Sequence, residues 1–214
     1  MIIYGSSLSP FVRKVLVICA EKGIEVDHRV SRPGQPDPEF LAISPFQKIP
    51  AIRDGDYTLS DSTAIALYLE AKHPTPQLIP DAAEARGRTI WFDEFSDTIG
   101  FGTGRKIFFN RVVAKLMGMT GDEAEAAKAE AEELPVQLDY LEGVVGEGWL
   151  VGGAFSLADI AVGSVFANYH HSGGRIDDGS HPRLCAYLKR VHARPSFKTI
   201  IDRDSAFLER ALAG

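Results

Sequence analysis

Several features that mark whole classes of protein are scarce in this sequence. Its 214 residues include 2 cysteines, Cys19 and Cys185, which stand far apart and in no CxxC or metal-ligand spacing. Neither a redox dithiol nor a zinc site is therefore indicated, and we interpret both cysteines as small buried hydrophobes. His170 and His171 are adjacent on a predicted helix, so they point to different faces and predict no shared metal or base site.

Long apolar runs and concentrated positive charge are also missing. No run approaches the roughly 18 apolar residues of a membrane span, so we expect no membrane partner. The net charge is -6 and no basic patch stands out, which argues against nucleic acid and favours a small ligand. The chain opens on the apolar Met1 to Tyr4 rather than on a basic start and a cleavage site, so we expect a cytoplasmic protein.

Strand signals are present, but only in the first third of the chain. Residues 1 to about 72 alternate short β-branched runs with helical patterns, which is typical of a compact α/β domain. We expect strands at 2–4, 25–30, 49–53 and 57–59, and helical segments from Pro10 to about Gly23, at 39–43 and at 61–72. Asp54-Gly55-Asp56 predicts a hairpin between the last two strands.

A linker and a helical domain follow. Residues 73–81 contain three prolines and no periodicity. Residues 82–214 have almost no strand signal and predict a helical bundle, with helices at 83–98, 122–144, 157–169, 183–193 and near 202–211. Ser156 and Asp159 predict a capping box, with Phe155 packing on Ile160, in a structural role.

Ser9 lies between the first strand and the first helix, directly before Pro10. Proline suits the first helical position, and serine before it is typical of an N-cap. Alternatively, the hydroxyl and the positive end of the helix dipole bind a ligand anion. A thiol, with a reference pKa of about 8.5, becomes a better nucleophile at pH 7 when its thiolate accepts such a bond. These residues alone leave both roles open, although N-caps are more common in proteins than anion-binding hydroxyls.

Two further elements have an ordinary role and a ligand-binding one. Ile49-Pro50 precedes an apolar strand, and a trans proline at the start of a strand is the commonest arrangement. A cis bond would instead turn the Ile49 backbone outward, where it could pair with an extended peptide. Asp61-Ser62 opens a helix after a strand. It either caps that helix or binds the ammonium and carboxylate of an α-amino acid end.

These three elements in this order resemble the glutathione transferase superfamily over nearly the whole chain. The likeness is carried by YGSSLSPFVRKV at 4–15, SPFQKIPAI at 44–52 and LSDSTAIALYL at 59–69, and by the capping box after a glycine-rich turn. It implies an α/β thioredoxin-like domain with a mixed four-stranded sheet over residues 1–76, then an all-α helical-bundle domain over 82–214. The serine-type, bacterial-like cytosolic class is the most similar.

The resemblance also assigns roles in a site for glutathione, a co-substrate, and implies no metal. Ser9 would stabilise the glutathione thiolate, Ile49 would hold the cysteinyl backbone, and Asp61 with Ser62 would hold the γ-glutamyl end. The glycine carboxylate would be contacted by Gln35, Gln47 and Lys48. Ser9 is the best candidate for thiol activation because it takes the place where related classes keep Ser or Cys; the alternatives are Tyr4, Ser6 and Ser7.

The implied activity is conjugation of glutathione to a small hydrophobic electrophile, as in detoxification, by a homodimer in which Asp97 reaches the other subunit's glutathione. Serine in place of cysteine argues against thiol–disulfide exchange. Alternatives are a glutathione-dependent lyase, peroxidase, dehalogenase or isomerase, or a non-catalytic binding protein. The electrophile would lie between Ser9 and the first helices of the second domain. Four residues would line its site: Phe101, Arg105, Phe108 and Phe109. Alternatively, the three phenylalanines belong to the core of the helical bundle and Arg105 is an exposed charge.

Overall fold

The computed structural model describes residues 1–30 and 37–213. The first part alternates strands and helices, in the order β1 (Ile2–Tyr4), α1 (Pro10–Glu21), β2 (Asp27–Arg29), α2 (Pro38–Ile43), β3 (Ala51–Asp54), β4 (Tyr57–Ser60) and α3 (Ser62–Lys72). The rest is helical, with α4 (Ala83–Glu94), α5 (Phe101–Phe108), α6 (Ala114–Leu116), α7 (Glu123–Lys128), α8 (Leu134–Val144), α9 (Leu157–His171), α10 (Pro182–His192) and α11 (Pro195–Leu212). The predicted fold class is confirmed.

The four strands form one mixed sheet in the order β2-β1-β3-β4. β1 is parallel to β2 and antiparallel to β3, and β3 is antiparallel to β4. The register pairs Ala51 with Tyr4 on one side and with Ser60 on the other. The end of β1, the start of β3 and the end of β4 therefore lie side by side, and the loops attached to them meet at one edge of the sheet.

Alternation along the strands gives the sheet two different faces. Ile3 and Ile52 are buried in the main core with residues of α1 and α3. Tyr4 and Ala51 point the other way and pack with Phe40 of α2 in a separate small cluster.

α9 is the central helix of the second part. Leu157 to Tyr169 are all buried, and the helix packs against α1, α4, α5 and α10. Gly163 permits the close approach of α10, since a Cβ there would lie 2.6 Å from Val191 Cγ1. The predicted capping box is confirmed: the Ser156 amide donates to Asp159 Oδ2 at 2.9 Å.

Several helices and one strand differ from the predicted elements. The helix at Ala83 continues beyond Thr98 to Leu116, because the π-helical segments Phe95–Gly100 and Phe109–Val113 join α4, α5 and α6. A third π-helical segment, Ala129–Glu133, joins α7 to α8. The last helix begins at Pro195, not near residue 202, and β2 is three residues long. No helix in the described ranges combines the length and apolarity needed to cross a membrane.

Candidate active site

A cavity of about 600 Å³ lies where the sheet-edge loops meet the helices of the second part. One side is polar and comes from the loops after β1 and before β3, with Ser6, Ser9, Gln47, Lys48 and Ile49. The other side is mainly apolar and comes chiefly from α1, α5, the segment after α5, α9 and α11, with single residues from the loops after β1 and β2. Its lining is Leu8, Pro10, Phe11, Val30, Phe101, Gly104, Arg105, Phe108, Phe109, Val113, Leu116, Met117, Val165, Asn168 and Phe207.

A second cavity, of about 640 Å³, lies between α1, β2 and α11. Its wall holds the ion pair of Glu21 and Arg194, but no residue of the sheet-edge loops. The candidate chemistry is therefore in the first cavity.

Ser9 is the N-cap residue of α1 by position, with φ -74° and ψ 125°, yet its hydroxyl makes no capping hydrogen bond with the described residues. Its amide donates to the Ser6 carbonyl at 2.9 Å, and Pro10 follows at the first helical position. The half-buried side chain faces the cavity at the positive end of the helix. The hydroxyl is thus free to donate to an anion in the cavity.

The alternative thiol-activating residues are placed differently. Ser6 lines the cavity, and its Oγ accepts from the Leu8 amide at 3.3 Å. Ser7 is buried outside the lining and donates to Asp204 Oδ1 at 2.5 Å, so its hydroxyl is already engaged. Tyr4 lies on the opposite face of the sheet, where burial and the nearby Glu39 raise its pKa to about 12. Among the described lining residues, Ser9 and Ser6 carry the hydroxyls that face the cavity.

The loop that carries Ser9 is held by buried charge from the second part of the chain. Arg13 of α1 donates to Asn168 Oδ1 at 2.7 Å and to Asp204 Oδ2 at 3.1 Å. Asp204 accepts from Ser7, and Asn168 Nδ2 donates to the Leu8 carbonyl at 2.9 Å. Asp204 and Asn168, both bound by Arg13, therefore hold two consecutive residues of the loop, Ser7 and Leu8.

The loop before β3 presents its backbone to the same cavity. The Ile49-Pro50 bond is cis, and Ile49 makes no backbone hydrogen bond within the described ranges. Ser44 shapes the loop, because its Oγ donates to the Lys48 carbonyl at 2.8 Å and accepts from the Lys48 amide at 3.0 Å. Gly5 has φ +130° and a Cβ there would lie 2.9 Å from Ile49 Cβ, so glycine lets the two loops touch.

Of the three residues predicted to bind the glycine carboxylate, the structure describes two. Gln47 and Lys48 are exposed and line the cavity beside Ile49. Gln35 lies outside the described residues.

Asp61 and Ser62 begin α3 at the neighbouring strand end, beside the cavity but not in its lining. Asp61 has φ 84° and caps the helix through a hydrogen bond from the Ala64 amide at 2.9 Å. Its exposed carboxylate keeps a second oxygen for a ligand. Ser62 is buried, and its Oγ donates to Asp97 Oδ2 at 3.3 Å. Capping and ligand binding are thus compatible at this turn.

Asp97 belongs to a buried ionic cluster that sequence reasoning missed. Lys14 Nζ donates to Asp93 Oδ1 at 2.6 Å and to Asp97 Oδ2 at 2.7 Å, and Thr63 donates to Asp93 Oδ2 at 2.7 Å. Burial raises the pKa of Asp97, against the lowering effect of Lys14. The one available signal was Arg13-Lys14 inside an otherwise apolar helix, where cations near the core need buried partners.

The four residues predicted to line the electrophile site, Phe101, Arg105, Phe108 and Phe109, all line the cavity. Sequence reasoning missed Phe11, whose ring lies 4.5 Å from that of Phe101, and Phe207, which comes from the last helix. No periodicity within one segment links residues so distant in the chain.

The described residues contain no group of three or more His, Cys, Asp or Glu that could hold a metal ion. The His170 ring packs edge-on against His192, at 5.4 Å between centroids.

Comparison with known proteins places the chain in a family. Glutathione S-transferase domain models match at residues 3–77 (N-terminal) and 109–203 (C-terminal). Glutathione S-transferase 3 of Zea mays is 30% identical over 210 residues, 93% of this chain and 92% of the relative. A glutathione S-transferase of Rhodospirillum rubrum F11 has TM-score 0.85 and 24% identity, covering 93% and 90% of the two chains. Glutathione S-transferase-I bound with lactoylglutathione has TM-score 0.84 and 23% identity, covering 94% and 98%. The chain belongs to the glutathione S-transferases, enzymes that transfer groups to glutathione sulfur.

Proposed function

We propose that this protein is a serine-type glutathione transferase that conjugates glutathione to a small hydrophobic electrophile. The observation that carries the proposal is the Ser9 hydroxyl. It stands at the N-terminus of α1, has no capping role among the described residues, and faces a cavity that also exposes the Ile49 backbone.

Glutathione fits the order of the sheet-edge loops. Asp61 and Ser62 bind the γ-glutamyl end, and Ile49 pairs with the cysteinyl backbone as a strand would. Lys48 and Gln47 bind the glycine carboxylate, with Gln35 as a further contact. This orientation directs the thiol towards Ser9. The side-by-side ends of β1, β3 and β4 support it.

Ser9 then acts on the charged form of the thiol. Its O–H donates to the thiolate sulfur, and the positive end of α1 adds a favourable field, so the thiol gives up its proton to solvent more readily. The apolar wall holds the electrophile beside the sulfur, which attacks it. The protein contributes anion stabilisation and proximity and forms no covalent bond with the substrate.

Replacing Ser9 with Ala tests this role. Loss of an anion-stabilising donor of this kind costs about 2.7–4 kcal/mol of barrier, so kcat should fall by roughly 100- to 1000-fold. The affinity for glutathione should change little, because the peptide contacts remain. Ser6→Ala is the matched control and should retain most activity. An active Ser9→Ala enzyme beside an inactive Ser6→Ala enzyme would move the role to Ser6.

We also propose two domains, 1–76 and 82–214, assembled as a homodimer in the cytoplasm. Exposed apolar side chains support the dimer, notably Phe46 at 85% exposure and Val136 at 71%. Cys19 and Cys185 are free thiols, which fits a reducing compartment. Sedimentation velocity tests the dimer, and a monomeric mass at micromolar concentration would refute it.

A further inference from the structure

The cavity carries positive charge on its wall and no carboxylate among its described lining residues. Its charged side chains are Lys48 and Arg105, although the chain as a whole has a net charge of -6. The proposed function uses Lys48 for the glycine carboxylate of glutathione. Arg105 stands on the apolar side, where the electrophile binds, and is left for another anion.

Arg105 shares one face of its helix with aromatic side chains. Phe101 lies four residues before it, and Phe108 and Phe109 lie three and four residues after it. Residues at these spacings are neighbours on a helix surface, and all four line the cavity. A flat ring packed on these phenylalanines therefore places its substituents within the range of one guanidinium.

The Arg105 guanidinium is also unengaged. It makes no hydrogen bond or ion pair with residues 1–30 or 37–213, and the residue is exposed at the cavity wall. Neighbouring cations of the same helical stretch differ from it: Lys106 is paired with Glu133 at 2.6 Å, and Arg111 with Glu123 at 2.7 Å. No described residue therefore occupies its donors, which can bind a ligand in the cavity.

We propose that Arg105 binds a carboxylate on the electrophile, so that the preferred substrates are aromatic electrophiles bearing a carboxylate away from the reacting carbon. The inference rests on the proposed glutathione transferase activity. The planar guanidinium binds both oxygens of a carboxylate, which fixes the ring's orientation as well as adding affinity. The cavity volume of about 600 Å³ suits one aromatic ring beside the glutathione thiol.

A suitable probe is 4-chloro-3-nitrobenzoate. The thiolate sulfur attacks the ring carbon that bears chlorine, the new C–S bond forms, and the C–Cl bond breaks with loss of chloride. The thiol proton goes to solvent, and no oxidant or reductant is needed. The methyl ester of the same acid keeps the ring, the nitro group and the leaving group but lacks the charge.

The test compares kcat/KM for acid and ester, each divided by its uncatalysed rate with glutathione, in wild type and in Arg105→Gln. We expect the variant to lose about tenfold or more on the acid, as for a charge-assisted hydrogen bond, and little on the ester. Arg105→Lys should recover part of the activity on the acid. Arg175→Gln, which removes an exposed charge outside the cavity lining, should affect neither substrate.

A second measurement does not depend on turnover. The conjugate S-(4-carboxy-2-nitrophenyl)glutathione should bind wild type more tightly than its methyl ester does, and Arg105→Gln should abolish the difference. If Arg105→Gln lost activity equally on acid and ester, or lost none on either, the carboxylate role would be overturned. Conjugation of the ester by the wild type would still support the proposed transferase activity. A wild-type protein that neither binds glutathione nor conjugates either probe would refute both proposals.

Discussion

Arg13 and Lys14 are neighbours in α1, and their side chains are 0% and 1% exposed. Consecutive residues on a helix are separated by about 100°, so the two cations point to different sides of α1. Arg13 pairs with Asp204 of α11, in the last helix of the chain. Lys14 pairs with Asp93 of α4 and with Asp97 just after it.

Each of these contacts leads to a different half of the candidate site. Through Asp204, Arg13 reaches Ser7 in the loop that carries Ser9. Through Asp97, Lys14 reaches Ser62 at the start of α3. One helix thus aligns the half assigned to the thiolate with the half assigned to the γ-glutamyl group, and each half can be disturbed separately.

The two clusters differ in their charge balance. Arg13 faces one close carboxylate and the neutral Asn168, whereas Lys14 faces two carboxylates. The Lys14 cluster therefore holds an extra negative charge beside Ser62.

The largest effect is expected from removing either cation. Breaking a buried ion pair by deleting one partner costs about 3–5 kcal/mol, because a charge is left buried and unpaired. Lys14→Met leaves two adjacent carboxylates and should cost more than Arg13→Met, which leaves one. Urea unfolding at pH 7 measures both. At pH 5 the Lys14→Met deficit should shrink, since protonation relieves the repulsion; a deficit no larger than that of Arg13→Met would contradict the charge count.

A smaller effect on the free energy of unfolding is expected from the histidines near Arg13. Unlike the Lys14→Met deficit, it should grow as the pH falls. Burial, with Arg13 and other cationic groups contributing, lowers the pKa of His171 and His192 to about 4. An unfolded histidine has a pKa of about 6.5, so the unfolded state binds more protons between the two values. The free energy of unfolding should therefore fall as the pH drops from about 6.5 to about 4, by roughly 2 kcal/mol per histidine.

His171 allows a clean test because its Nε2 has no hydrogen-bond partner in the described structure. His171→Leu should flatten the fall in the urea midpoint between pH 7 and pH 5. His73→Leu, at the C-terminal end of α3 and outside this group of histidines, is the control. An unchanged slope in His171→Leu would show that this histidine does not contribute.

The parts of the candidate site that could be predicted from the sequence are those that depend on local signals. Ser9-Pro10 at a strand-to-helix junction, Ile49-Pro50 before a strand and Asp61-Ser62 at a helix start are each recognisable within a few residues. The sheet register then brings these turns together, as the order of strands requires.

The remainder depends on distant contacts. The bonds of Lys14 to Asp93 and of Arg13 to Asp204 cross 79 and 191 residues of sequence. No local period links such partners. The π-helical segments also escaped prediction, because inserted residues shift the 3.6-residue pattern on which helix recognition rests.

The finest distinction between the two clusters comes from two small changes, Ser7→Ala and Thr63→Val. Each removes one hydroxyl donor to a buried aspartate, Asp204 or Asp93, and leaves the ion pair intact. Each should cost about 1.5 kcal/mol, or roughly tenfold in a kinetic constant, at the low end for a hydrogen bond to a charged group. Ser7→Ala should lower kcat and raise the pKa of bound glutathione thiol, because the loop that carries Ser9 loses an anchor.

Thr63→Val should instead raise the KM for glutathione and leave kcat and the thiol pKa unchanged, because it loosens the turn at Ser62. Steady-state kinetics and a pH titration of thiolate absorbance in the bound complex separate the two patterns. A change that merely weakened the fold would move both constants alike in both variants. If Ser7→Ala raised only the KM, the link from Arg13 to the thiolate would be wrong, since Ser7 is the residue through which Asp204 holds that loop.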